Sequence, residues 1–314
     1  MSAAGAPSFD DHVQPFQIEA PGLRGRLVRL GPAVEAVIGC HRYPPAVAGQ
    51  LAEAMAMAAV LASGLKYDGI FTLQLQGDGP IRLMVVDVTS GGDMRGYARF
   101  EADRLASPAR TTEGPVPRLF GGSAVMSFTV DQGPGTERYQ GITPLEGATL
   151  SECCHAYFRQ SEQLQTAIQL CATDMAAPAG GRRAAALMIQ RLPLAQGVDR
   201  ETAEDDWRRA VILMSSARPA ELLSPELEAA ELLYRLFHED GVRLFRTRPL
   251  RQHCRCSQVK VERALRAFPV DELLAMREDD LLRVTCEFCK AEYVFDETAL
   301  AALGAAAAPD ERPT

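Results

Sequence analysis

Four cysteines near the carboxyl end constrain this chain more than any other feature. Cys254 and Cys256 form a C-x-C pair, Cys286 and Cys289 a C-x-x-C pair, and 29 residues separate the two. Two close pairs suit a tetrahedral ion, because each tight turn delivers two soft donors to one point. One zinc ion held by Cys254, Cys256, Cys286 and Cys289 is the centre this spacing predicts. Between the pairs, residues 261–276 read as helix and turn, with Leu265, Phe268 and Leu273 beside the metal. Tyr293 and Phe295 then fit a short closing strand. Such a module has little core of its own, so metal binding supplies much of its folding free energy.

Two readings of this centre stay open. It is either a structural zinc ribbon or an oxidation-sensitive switch. Cysteines one residue apart close only a tight, strained disulfide ring, and strained disulfides reverse readily, which suits a sensor. Zinc also keeps thiols deprotonated, and thiolates are what peroxide or hypochlorous acid attacks. Arg251, Arg255 and Lys260 near the first pair either favour thiolates or are solvated surface charge, and His253 is an alternative ligand beside Cys254.

The remaining sequence narrows the class. The chain has 314 residues, 47% of them hydrophobic, enough for one large domain and a smaller one. No uninterrupted apolar run is long enough to span a bilayer, and the first residues, with Asp10 and Asp11, lack the pattern of a secretory leader. The expectation is a cytoplasmic protein without membrane contact, whose cysteines are thiols, ligands or sensors. A net charge of −8 argues against a nucleic-acid partner.

Hydrophobic periodicity predicts an α+β fold with mainly antiparallel sheet. Apolar residues recur at helical spacing over 46–65, after Pro44-Pro45. Strand-like segments follow at 70–76, 81–88, 94–100, 124–130 and 138–143, joined by connections too short for parallel crossovers. Helix is expected over 149–170, capped by Thr149 or Ser151, and a strand over 185–192. Residues 199–214 and 224–237 read as amphipathic helices that must dock on something, the second started by Ser224-Pro225-Glu226. Val211 to Met214 is an apolar run that is either permanent core or exposed in one state. The expected divisions are an amino-terminal α+β domain (1–195), a helical linker (196–245), the four-cysteine module (246–300) and a disordered tail (301–314).

Other candidates carry less. Cys40 and Cys171 read as small buried hydrophobes, and Cys153-Cys154 as one core and one boundary residue of a helix. Cys40-His41 is a poor catalytic pair, since sequence neighbours rarely face each other. His155 and His238 read as surface or boundary residues. Gly77-Asp78-Gly79-Pro80 lacks the Lys-Ser/Thr of a phosphate-binding loop and reads as a hairpin turn. No Ser/His/Asp or carboxylate grouping can be placed on one site, so no catalytic residue and no enzyme activity are expected, and no cofactor besides zinc.

Several longer stretches carry a resemblance. Leu73-Gln74-Leu75-Gln76-Gly77-Asp78-Gly79-Pro80, Met94-Arg95-Gly96, Glu137-Arg138-Tyr139-Gln140-Gly141 and Tyr157-Phe158-Arg159-Gln160-Ser161-Glu162-Gln163, with the two cysteine pairs, cover most of the chain. By these the chain resembles the thirty-three-kilodalton heat-shock family of redox-regulated holdase chaperones. The resemblance implies an ATP-independent chaperone, inactive when reduced and zinc-bound. It further implies Cys254–Cys256 and Cys286–Cys289 disulfides on oxidation, zinc release, a linker that loses structure, and binding of unfolding client proteins, usually as a homodimer. Lys290, where many members have a small residue, and the Ala-rich tail depart from the family pattern. A structural zinc-ribbon adaptor without redox switching is the alternative.

Overall fold

The computed structural model describes residues 10–19, 23–106, 114–133, 136, 138–162, 164–176, 181–191 and 199–305. It forms two compact units that divide between His253 and Cys254. The first opens with β1 (His12–Ile18), β2 (Leu23–Leu30), α1 (Pro32–Gly39) and α2 (Pro45–Ala62). A meander follows, β3 (Ile70–Gln76), β4 (Ile81–Thr89) and β5 (Asp93–Phe100), then short helices α3 (Ala102–Ala106) and α4 (Pro115–Phe120). Next come β6 (Val125–Asp131), β7 (Tyr139–Pro144), α5 (Leu150–Tyr157), a π-helical turn at Phe158–Glu162, β8 (Thr166–Ala172) and β9 (Ala184–Arg191). Helices α6 (Arg200–Ser215), α7 (Pro219–Leu222) and α8 (Ala229–Phe237) lead to β10 (Val242–Leu244), β11 (Arg248–Pro249) and β12 (Arg251–Gln252).

Two sheets organise this unit, as the α+β expectation requires. One has the order β10-β1-β2-β9-β8, with β11 also on β1, and the other β12-β5-β4-β3-β6-β7. Neighbours run antiparallel except β12, which lies parallel to β5. Helix α2 packs against strands of both sheets, and 14 of its 18 residues are buried. That explains its alanines: a helix covered all round needs small side chains for two sheets to approach it. By length and composition α2 could cross a membrane, but 78% of it is buried inside the fold.

The other face of the first sheet is covered by α6, α7 and α8. Phe16, Ile18, Leu23, Leu27, Leu187 and Ile189 from the strands share a core with Met214, Leu222, Leu232, Leu233 and Phe237. Gly25 lies opposite Phe16 in the β1–β2 register. A Cβ there would sit 2.0 Å from the Phe16 ring, so the missing side chain lets that ring lie over the strand. Phe16 in turn stacks on Phe237, centroids 5.8 Å apart, and ties α8 to the sheet. The run Val211 to Met214 is divided: Met214 is buried in this core, Val211 and Leu213 are partly covered, and Ile212 is 69% exposed.

Three segments differ from the sequence expectation. The helix expected over 149–170 stops at Tyr157, and Thr166–Ala172 is strand β8. Thr149 is its cap, accepting from the Glu152 N–H at 3.2 Å. Pairing with β9 overrides the helical periodicity of 166–172. Ser224 accepts from the amides of Glu226 and Leu227, but in a turn: α8 begins at Ala229, after Glu228. Cys153 and Cys154 are both fully buried, and Cys40, expected in the core, is exposed at the end of α1.

His155 holds α5 to β8, since its Nε2 accepts from the Ile168 N–H at 2.7 Å. Burial pushes its imidazole below the usual range, although the Glu152 carboxylate pulls the other way. A ring nitrogen that accepts from an amide must stay unprotonated, which also favours the neutral form. The contribution is complete above the ordinary imidazole value of about 6.5 and is lost as pH falls below it. Urea midpoints are therefore expected to fall from pH 7.5 to 5.5, and His155→Gln to flatten that fall. An equally steep fall in the variant would contradict the role given to His155.

Candidate metal centre

The second unit is built around one hairpin. Helices α9 (Gln258–Leu265) and α10 (Val270–Ala275) precede β13 (Leu282–Thr285) and β14 (Glu292–Phe295), and α11 (Glu297–Ala305) ends it. Its buried core is Leu265, Leu273, Leu282, Phe295, Leu300 and Leu303. Phe268, expected beside the metal, is instead 49% exposed. Helix α11 also corrects the expected tail, since 301–305 are helical; residues 306–314 lie outside the described residues.

Both cysteine pairs sit where backbone geometry fixes them. Cys254 and Cys256 immediately precede α9, whose cap Ser257 accepts from the Lys260 N–H at 3.4 Å. Cys286 and Cys289 occupy the turn between β13 and β14, closed by bonds from Cys286 N to Ala291 O (2.8 Å) and Lys290 N to Cys286 O (2.9 Å). Lys290 takes φ +59°, in the left-handed region where a side chain is strained. Glycine, without a Cβ, would take this conformation unstrained.

The four sulfurs lie within 4.8 Å of one another. Cys254 Sγ is 3.8 Å from Cys286 Sγ, and Cys256 Sγ is 3.4 Å from Cys289 Sγ. Bonds of about 2.3 Å from a tetrahedral zinc would place its sulfurs about 3.8 Å apart. None of the four is in a disulfide, and these two S–S separations are far beyond a disulfide bond. Burial pushes the Cys286 and Cys289 thiols up, and for Cys289 sharing protons with the neighbouring sulfurs acts in the same direction. Four thiolates at this spacing need a cation among them, so the donor set fits a metal ion.

The other residues singled out near the centre do not join it. Lys260 Nζ donates to Arg255 O at 2.6 Å, and Arg251 pairs with Asp93 at 2.5 Å. His253 is outside the four-sulfur group, and its amide donates to Met94 O. Gly77-Asp78-Gly79-Pro80 is the β3–β4 turn, and its Gly77 and Gly79 amides already donate to Arg82 O and Phe120 O. A Cβ at Gly77 would meet Phe120 O at 2.1 Å, and Asp78 accepts from the Ser123 N–H. One partner of the centre escaped the sequence reading: Tyr293 Oη donates to Cys256 Sγ at 3.0 Å.

The family model described as Hsp33 protein matches residues 11–296. The chain belongs to the Hsp33 family. A 33 kDa chaperonin of Caulobacter vibrioides is 40% identical over 290 residues, covering 92% of this chain and 95% of that protein. One from Pseudomonas fluorescens is 36% identical, covering 95% and 94%. The crystal structure of the 33 kDa chaperonin (HSP33) from Thermotoga maritima aligns with TM-score 0.75 at 24% identity, covering 93% of this chain and 97% of that one. The Hsp33 fold is thus reproduced across almost the whole chain.

Proposed function

We propose that this chain is a redox-regulated, ATP-independent holdase for unfolding proteins, held inactive while Cys254, Cys256, Cys286 and Cys289 bind one zinc ion. The observation that carries this reading is the convergence of four cysteine sulfurs, none in a disulfide, at tetrahedral spacing. Membership of a family whose curated relatives are called chaperonins supports the chaperone output. Bound zinc would keep the four sulfurs as thiolates and knit the two pairs together.

The residues then act in sequence. A thiolate attacks one oxygen of peroxide, the O–O bond breaks, and hydroxide leaves as water once protonated. The other thiolate of the pair attacks the sulfur of the resulting sulfenic acid, the S–S bond forms as the S–O bond breaks, and hydroxide leaves as a second water once protonated. Two peroxides and four protons thus convert four thiolates into Cys254–Cys256 and Cys286–Cys289 disulfides, and no thiolate is left to retain the ion. The segment α6–α8 then loses its order, baring apolar surface such as Phe16, Leu23, Leu187 and Ile189 to clients. A homodimer of the oxidised chain belongs to the same proposal.

The test compares aggregation of a thermally unfolding client with the reduced, zinc-loaded protein and with the peroxide-treated protein. Strong protection by the oxidised form only is expected, with one zinc released as four thiols disappear and the sedimentation coefficient rising to that of a dimer. Equal protection by both forms would leave the structural ribbon as the better reading.

A further inference from the structure

Cys256 has a side-chain contact besides the other sulfurs. Its neighbours are Cys289 Sγ at 3.4 Å and the Tyr293 hydroxyl at 3.0 Å. Tyr293 sits on β14 opposite Val284 of β13, and its ring packs on the small core of the unit, so hairpin register and packing both aim the hydroxyl. The phenol donates to a sulfur of the four-cysteine centre, across 37 residues of chain.

We propose that Tyr293 is a positioning residue of the thiol switch, whose hydroxyl restrains Cys256 as a nucleophile and holds its sulfur in the metal-binding orientation. This rests on the redox reading for its biological meaning but not for its chemistry. An O–H donated to a thiolate draws on the lone pair that must attack an electrophile, and groups around a ligand set fix its direction. While bonded to Tyr293, the Cys256 sulfur stays beside Cys289. Forming the Cys254–Cys256 bond must bring two sulfurs that lie within 4.8 Å of each other to about 2.05 Å, and the hydroxyl bond restrains that movement. In that step Cys256 or Cys254 attacks peroxide, hydroxide leaves, and the partner sulfur displaces a second hydroxide from the sulfenic acid.

Tyr293→Phe keeps the ring and deletes only the donor. In the reduced, zinc-loaded full chain, residue-resolved alkylation with iodoacetamide is expected to speed up about two- to tenfold at Cys256, the range for losing one hydrogen bond. Rates at Cys254, Cys286 and Cys289 should stay within about twofold on the same scale. Tyr293→Leu, which also removes the packing, should raise all four. An unchanged Cys256 rate in Tyr293→Phe, or an equal rise at all four cysteines, would overturn the proposal. Because iodoacetamide forms a thioether without any oxidant, this result is separable from failure of the wild-type protein to form disulfides or release zinc under peroxide.

Discussion

Under the proposed function, Cys286→Ser is expected to leave the second unit without its zinc and to unfold it, while the first unit keeps its structure. The argument is one of size. The second unit has six buried apolar residues in its core, and a module of this length rarely gains more than about 3–5 kcal/mol from packing. Structural zinc in such modules contributes about 10–16 kcal/mol of apparent binding free energy at neutral pH. A serine hydroxyl is not deprotonated there and is a poor match to a soft thiolate set. Metal analysis should fall from about one zinc per chain to near zero, in line with four donors per ion. Amide exchange at β13 and β14 should lose protection, while α2, β3 and β4 remain protected. Cys171→Ser, in the core under α6–α8, serves as the control that keeps its metal. Persistent protection of the β13–β14 hairpin in Cys286→Ser would show that the small core suffices alone.

The second large effect is expected at Arg29, the largest fully buried side chain of the described residues, at 1% exposure. It points from β2 toward the covering helices, where its guanidinium donates to Leu227 O and, at 3.0 Å, to Glu221 O. Burial lowers its pKa, and the electrostatic influence of Asp10 opposes that. A buried cation held by backbone carbonyls makes the α7–α8 connection depend on one side chain. Arg29→Ala removes two charge-assisted bonds, leaves two carbonyls without that donor and opens a cavity. A loss of about 3–5 kcal/mol is expected. Urea midpoints should drop, and amide exchange should rise first at Leu222, Leu232 and Leu233. Under the proposed function the reduced variant should also protect clients in part. Arg29→Lys should recover only part of the loss, because a single ammonium lacks the planar fork that reaches both carbonyls. Unchanged exchange in α7 and α8 would refute this role.

Both residues also show how far sequence reasoning reaches. Cys286 was legible because two short spacings bring donors together through local turns, whatever the rest of the chain does. Arg29 was not, since an arginine in a strand ordinarily faces water, and only the helices folded over β2 bury this one. Tyr293 was placed on its strand by alternation with Phe295. The identity of its hydrogen-bond partner, 37 residues away, needed the hairpin and the first cysteine pair in register.

By itself, the sequence determined the four-cysteine set, the strands β3 to β7, the buried alanine-rich helix and the α+β class. These follow from periodicity, turn chemistry and metal-ligand spacing, which act over a few residues. Only the tertiary structure decided that 166–172 is strand and not helix, that Ser224 closes a turn and does not start α8, and that Cys40 is exposed. It also decided which sheet face α6, α7 and α8 cover. The strand at 166–172 and the covered sheet face depend on β8 pairing with β9, β2 with β9, and Phe16 with Phe237. Contacts between residues far apart in the chain outweigh local propensities of a few tenths of a kcal/mol per residue.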